Sequence, residues 1–315
     1  MNRHAGRLRV GTRGSDLARW QAEHVSGLLG EVPGAPEPEL VLIKTQGDRI
    51  QDVPLSQIQG KAFFTKEIEE ALLNDAVDLA VHSLKDLATE MPEGLELGAV
   101  LQREDPRDAL IAHVPGTLED LPQGARVGTS SLRRRAFLAR WRPDLKLLEL
   151  RGNVPTRIQK LDEGQYDAIV LAAAGVKRLG LESRISSYLP FHQFLPAVSQ
   201  GAVAVQIRAG DPEVAGWVRA MEHTPTFQAT SAERAFLRTV EGGCHAPVGA
   251  YATLQEDTLT LRGMVCSLDG TQAVEGEVSG PVSRAQALGV ELARDLLDRG
   301  ADGILEEIRK AGGGD

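Results

Sequence analysis

The spacing of apolar residues switches repeatedly between a strand period and a helix period over the first two thirds of the chain. Residues 8–11 form a short apolar run that predicts a strand. Ser15 then caps a helix to about residue 29, in which Leu17, Trp20, Val25 and Leu28 recur at helical spacing. Residues 40–44, 79–82 and 95–101 predict further strands, with a helix over 66–74. Strands alternating with helices imply parallel βαβ units, whose ligands gather at the carboxyl ends of the strands.

A second lobe begins after REDPRD and echoes the first. VGTRGSDLARW at Val10 parallels VGTSSLRRRAFL at Val127, each a strand, a Gly-Thr turn, a serine cap and a helix. VDLAVHSLKDL at Val77 parallels YDAIVLAAAGVKRLG at Tyr166, each an apolar strand leading to a lysine-bearing turn. The expected fold class is α/β, with two similar lobes of the type II periplasmic-binding-protein kind around a cleft. SQGAVAVQIR, over 199–208, is expected to return to the first lobe's sheet. From about Pro225 the pattern changes to a helix bearing Ala232, Ala235, Phe236 and Val240, the segment EGGCHAPVG, three antiparallel strands and a final helical region opened by a capping box at Ser283 and Gln286. The expected domains are 1–102 with 200–219, then 106–196, then a smaller α+β domain over 224–315.

Composition narrows the class of ligand. A net charge of −9 argues against a nucleic-acid surface, which requires a broad basic patch. Yet 27 of the 35 basic residues are arginine, whose rigid fork pairs bidentately with carboxylate or phosphate. An acidic protein with clustered arginines points to a small anionic ligand. No apolar run reaches the length of a membrane span, and MNRHAGRLRV lacks the apolar core of an export signal, so a cytoplasmic location is expected. The two cysteines, Cys244 and Cys266, are then expected to be free thiols. The seven histidines show no metal-binding spacing, and no phosphate-binding glycine fingerprint is present, so neither a metal nor a nucleotide is expected.

The chemistry-bearing residues stand at predicted helix starts and strand ends. TRGS at 12–15, TSSLRRR at 129–135 and RGNVPTR at 151–157 put hydroxyls and arginines where unpaired N–H groups and a positive dipole end already favour an anion. Ser15, Ser131 and Asn153 also read as ordinary caps. That role does not account for Arg133 and Arg134, whose charges oppose the dipole and call for a bound anion or a partner carboxylate. HSLKD follows a strand, and Asp86 within it is the candidate acid/base group, the plainer reading being an ion pair with Lys85 or a nearby arginine. Cys244, between glycines and a proline, is a candidate nucleophile or attachment point, while Cys266 in LTLRGMVCSL reads as structural.

With these segments assembled, the chain resembles the porphobilinogen deaminase (hydroxymethylbilane synthase) family from about Leu8 to Ala301. The resemblance is carried by TRGSDLA, KTQGD, VDLAVHSLKDL, REDPRDALI, VGTSSLRRR, LRGNVPTR, YDAIVLAAAGVKRLGL, LPAVSQGA and AERAFLRTVEGGCHAPVGAY, in family order. It implies a monomeric transferase that joins four porphobilinogen molecules head to tail with release of ammonia and then frees hydroxymethylbilane for haem biosynthesis. It also implies a dipyrromethane cofactor held by a thioether on Cys244, a primer that is retained, with linear oligopyrroles as intermediates. By the same resemblance Asp86 assists deamination and stabilises cationic intermediates. Arg13, Ser15, Lys61, Ser83, Lys85, Thr129, Ser130, Ser131, Arg133, Arg134, Arg151, Arg157, Arg178 and Gln200 match positions that hold acetate and propionate groups. The chain departs from the family pattern at QGKAFF, where Ala62 replaces a common glycine, and at Gln57, where a lysine is common. A two-lobed organic-anion-binding module without catalysis would show the same lobes, but it gives no reason for Cys244.

Overall fold

The computed structural model describes residues 6–49, 65–241 and 246–312. The described residues divide into two compact units, one holding 6–49, 65–104 and Gly201–Phe227, the other holding Asp105–Gln200, 228–241 and 246–312.

The first unit is built on a five-stranded sheet of order β2-β1-β3-β10-β4, formed by β1 (Leu8–Thr12), β2 (Pro38–Leu42), β3 (Leu79–Ser83), β4 (Leu95–Val100) and β10 (Val203–Arg208). β1 runs parallel to β2 and β3, while β10 lies antiparallel between β3 and β4. The expected return of 199–208 to this sheet is therefore observed. Gly201 makes the turn into β10 with φ +91°, and a Cβ there would stand 2.4 Å from the Glu104 carbonyl oxygen. Strand β2 begins two residues before the expected run. It is an edge strand, so Pro38 costs it no ladder donor. Helix α1 (Asp16–Gly30) and α7 (Pro212–Arg219) bury Val25, Leu29, Val214 and Val218 against Leu8, Val10, Val81 and Val205. The short α2 (Gln46–Arg49) precedes α3 (Lys66–Leu73), which packs Ile68 and Leu72 with Val77 and Ala80.

The second unit repeats that order. Its sheet reads β7-β6-β8-β5-β9, from β5 (Asp108–Ala112), β6 (Arg126–Gly128), β7 (Lys146–Leu148), β8 (Ala168–Ala172) and β9 (Ser187–Tyr188). β6 is parallel to β7 and β8, and β5 is the antiparallel insertion. Helices α4 (Leu132–Trp141), α5 (Val154–Asp162) and α6 (Ala173–Arg178) follow β6, β7 and β8 in turn. The expected lysine-bearing turn after β8 is thus a helix.

A three-stranded antiparallel sheet, β11 (Val248–Gln255), β12 (Thr258–Cys266) and β13 (Ala273–Pro281), completes this unit. α8 (Thr224–Glu241), α9 (Ala285–Leu296) and α10 (Asp302–Gly312) enclose Phe236, Leu259, Leu261, Leu292 and Ile304 with it. Met264 and Cys266 at the end of β12 are buried in the core of the second sheet with Phe137 and Phe194, which joins the two sheets into one body. Burial pushes the Cys266 thiol up to about 11, as suits an inert structural cysteine. The expected capping box does not form. Residues Val282–Arg284 make a 3₁₀ turn, so α9 starts behind Arg284, and Ser283 falls one position out of register for capping it.

Candidate active site

In the first unit, the loops after β1 and β3 leave the carboxyl edge of the sheet side by side. Ser15 caps α1 from an extended conformation, its hydroxyl oxygen accepting from the Ala18 N–H. The oxygen is used for the cap, while the hydroxyl proton remains able to donate to an anion. After β3 the chain makes a single 3₁₀ turn, Leu84–Asp86, anchored at both ends. The Leu84 N–H donates to the Ala202 carbonyl at 3.0 Å, and Leu84 and Leu87 are both buried. Between these two anchors Lys85 and Asp86 have nowhere to go but outward, and both are exposed. Arg13, Ser15, Gln21, Thr65, His82, Ser83 and Asp86 line one small pocket. Gln21 and Ser83 are hydrogen-bonded across it at 2.9 Å.

Beneath the pocket runs a buried polar chain. His82 Nε2 lies 3.1 Å from Gln206 Oε1, and Gln206 Nε2 donates to Glu69 Oε1 at 3.2 Å. Because the Gln206 amide nitrogen faces Glu69, its oxygen faces the histidine, so Nε2 carries the proton. Burial, reinforced by the charge of Arg13 and only partly opposed by the Gln206 hydrogen bond, takes His82 from its usual 6.5 down to about 4. The folded protein therefore keeps His82 neutral where the unfolded chain binds a proton. Stability is expected to fall as pH drops from 6.5 to 4, by about 3 kcal/mol at about 1.4 kcal/mol per unit. Urea unfolding of wild type and His82→Gln at pH 7 and pH 4.5 checks this, and an equal loss in both proteins would contradict it.

In the second unit, three loops at the carboxyl edge carry the arginines. Ser131 caps α4 by accepting from the Arg134 N–H, and Asn153 caps α5 by accepting from the Thr156 N–H at 3.0 Å. Ser130 donates to the Leu150 carbonyl at 2.6 Å and so ties the β6 loop to the β7 loop. Thr129, fully buried, receives the Ser131 N–H. Arg133 and Arg134 turn inward onto a residue the sequence did not single out. Asp108, at the head of β5 and 0% exposed, lies 2.7 Å from Arg133 Nη1 and 2.7 Å from Arg134 Nη2, and Gln200 Nε2 donates to it at 3.1 Å. Burial alone would raise the Asp108 carboxyl, but the two guanidinium charges and the hydrogen bonds hold it down at about 2. Of the two partners expected for these arginines, the structure supplies the carboxylate.

One carboxylate does not exhaust the positive charge. Arg157, whose Nε donates to the Gly152 carbonyl at 2.7 Å, is pushed down to about 10 by burial and by the nearby charges of Arg134 and Arg151, against a smaller opposing effect of Glu149. Arg133 Nε, buried, has no hydrogen-bond partner among the described residues. Like charges crowded at strand ends, with a buried donor left over, fit a bound polycarboxylate such as a dipyrromethane with acetate and propionate arms.

The structure thus brings Arg13, Ser15, Ser83 and Asp86 to one pocket and sets Lys85 beside it. It gathers Thr129, Ser130, Ser131, Arg133, Arg134, Arg151, Arg157 and Gln200 around the β6 and β7 loops. Arg178 stands half-buried in the last turn of α6. Cys244 and Lys61 lie outside the described residues, as do Gln57 and Ala62. Sequence reasoning missed Asp108, Thr65 and the His82–Gln206–Glu69 chain. The adjacent Arg133 and Arg134 at a helix start were the available signal for Asp108, since they require a carboxylate and REDPRD supplies one at the mouth of an apolar strand.

Two sheets of the same strand order, each with arginines and hydroxyls at its carboxyl edge and one with an outward-held carboxylate, define a two-lobed α/β protein built to hold a small polyanion. The chain belongs to the porphobilinogen deaminase family. Residues 8–216 match the family's dipyromethane cofactor binding domain, and residues 227–298 match its C-terminal domain. A porphobilinogen deaminase from Syntrophomonas wolfei is 52% identical over 303 residues, covering 96% of this chain and 99% of the relative. One from Moorella thermoacetica is 52% identical over 306 residues, covering 97% and 98%. Among solved structures, a putative methionine-binding lipoprotein from Bacillus subtilis has a TM-score of 0.42 at 12% identity, over 69% of this chain and 90% of that one.

Proposed function

We propose that the polymerisation of porphobilinogen to hydroxymethylbilane, the activity of this transferase family in tetrapyrrole biosynthesis, is carried in this chain by Asp86 as acid/base and by Cys244 as a covalent tether. The observation that carries the reading is the outward-held Asp86 carboxylate in one pocket with Arg13, Ser15 and Ser83. Arg13 and the serine hydroxyls are suited to hold a carboxylate arm of the substrate. Asp86 is then free to give a proton to the departing amine and to offset the positive charge left on the substrate ring. The buried leucines on either side fix the carboxylate against recoil, and the neutral His82 beneath adds no competing charge.

A dipyrromethane bound through Cys244 would supply the nucleophilic carbon that receives the first substrate. The residues suited to its arms are Thr129, Ser131, Arg133, Arg134, Arg151, Arg157 and Arg178, with Lys61 and Lys85 as further cations. Ser130 and Gln200 support the loops that present them. A non-catalytic anion-binding module would need neither Asp86 nor Cys244, and family membership weighs against it.

The tether is tested by intact mass. The purified protein is expected to exceed its sequence mass by two porphobilinogen units less two ammonias, and Cys244→Ser is expected to lose that increment together with turnover. An unmodified wild type with full activity would refute it. The same reading places the enzyme in the cytoplasm as a monomer, which light scattering on the purified protein tests for its oligomeric part. No helix among the described residues is long and apolar enough to cross a membrane.

A further inference from the structure

Thr65 stands immediately before α3 and is 1% exposed. A threonine there ordinarily turns its hydroxyl onto the first free N–H groups of the helix. This one does not. Its backbone carbonyl accepts from Ile68 and Glu69 at 3.0 and 2.8 Å, its φ and ψ are −119° and −23°, and its side chain makes no capping bond. Oγ1 is buried with no hydrogen-bond partner among the described residues. A buried hydroxyl left in that state is destabilising, and valine would fill the same space without the penalty.

The wall in which it lies gives that hydroxyl a use. Thr65 lines the same pocket as Arg13, Ser15, His82, Ser83 and Asp86. The pocket measures about 70 Å³, the room of roughly two waters or one carboxylate group. Arg13 brings a positive charge, and Ser15 keeps a hydroxyl proton. His82 is held neutral by its own hydrogen bond to Gln206 and adds no charge. Acidic groups are present too. Asp86 shares the pocket, Glu67 receives the Gln46 N–H and Glu69 is tied to Gln206. Of these three carboxylates only that of Asp86 belongs to the lining, alongside Arg13 and the hydroxyls of Ser15, Thr65 and Ser83.

We infer that Thr65 is a substrate-binding residue whose hydroxyl donates to a carboxylate arm of the pyrrole substrate held by Arg13. The arm is thereby held in the pocket that Asp86 shares, and the aminomethyl carbon is presented to Asp86. This rests on the reading of the reaction given above.

Thr65→Val keeps the shape and removes only the hydroxyl, while Thr65→Ser restores it. With porphobilinogen as substrate, Thr65→Val is expected to lower kcat/KM by about tenfold, mostly through KM, the loss appropriate to one hydrogen bond to a charged group. Thr65→Ser should recover most of that loss. Without substrate, the thermal midpoint of Thr65→Val should equal or exceed that of wild type, because an unpaired buried hydroxyl has been removed. A KM within twofold of wild type would overturn the inference, and so would a midpoint lowered by several degrees, which would mark Thr65 as structural. Wild-type turnover with an unaltered Thr65→Val overturns this inference alone. A wild type that does not turn over porphobilinogen overturns the reaction as well.

Discussion

Asp108→Asn is expected to destabilise the second unit by about 3–5 kcal/mol, the range for breaking a buried ion pair by removing one partner. The arithmetic is local. Asp108 is fully buried, forms ion pairs with Arg133 Nη1 and Arg134 Nη2 at 2.7 Å each, and accepts from Arg134 Nε at 2.9 Å and from Gln200 Nε2 at 3.1 Å. Asparagine preserves the volume but leaves two guanidinium groups, 6% and 7% exposed, without a counter-charge and turns an amide N–H₂ toward one of them. The thermal midpoint should fall by roughly 10 °C or more. The effect also has a pH dependence of known sign. Because the folded carboxyl is held at about 2 and its unfolded value is 3.8, the stabilisation is complete above pH 4 and is lost as pH falls toward 2. Acid titration should show that loss in wild type and not in Asp108→Asn. A cost below 1 kcal/mol would mean that water or other acceptors reach the arginines.

This cluster also shows how far the chain could be read from its sequence. The βαβ order, the return of β10 and the three-stranded terminal sheet were legible because each depends on a local apolar period and a nearby cap or glycine. Ser15, Ser131 and Asn153 cap helices where the spacing put them. Asp108 was not legible, since its arginine partners lie about 25 residues along the chain and Gln200 lies 92 along it, and only the crossing of β5 beside β8 brings the arginines to it. Thr65 was hidden for the opposite reason. It sits at a helix start with every appearance of a cap, and only the side-chain geometry shows that the hydroxyl is unused. The two-residue β9 has too little sequence to carry a period at all. At Ser283 a serine and glutamine in capping-box spacing misled, because a 3₁₀ turn moved the helix start by one residue.

Asp86→Asn is expected to reduce kcat by about 10²–10⁴-fold, the usual contribution of a positioned proton-transfer group. It should do so without unfolding the protein. The turn that carries Asp86 is held by the Leu84 N–H on the Ala202 carbonyl, by Leu87 N–H on the Leu84 carbonyl, and by the burial of both leucines. None of these involves the exposed carboxylate, so the change in stability should stay within about 0.5 kcal/mol. Asparagine can still accept a hydrogen bond from the substrate but can neither deliver a proton nor balance a positive charge. The loss should therefore fall on kcat more than on KM. Asp86→Glu retains the chemistry but moves the carboxylate by one methylene on a turn too tightly anchored to follow it, and should fall between the two. Single-turnover release of ammonia separates the steps: if Asp86→Asn deaminates porphobilinogen at nearly the wild-type rate, the proton comes from elsewhere, and Asp86 is not the acid/base group.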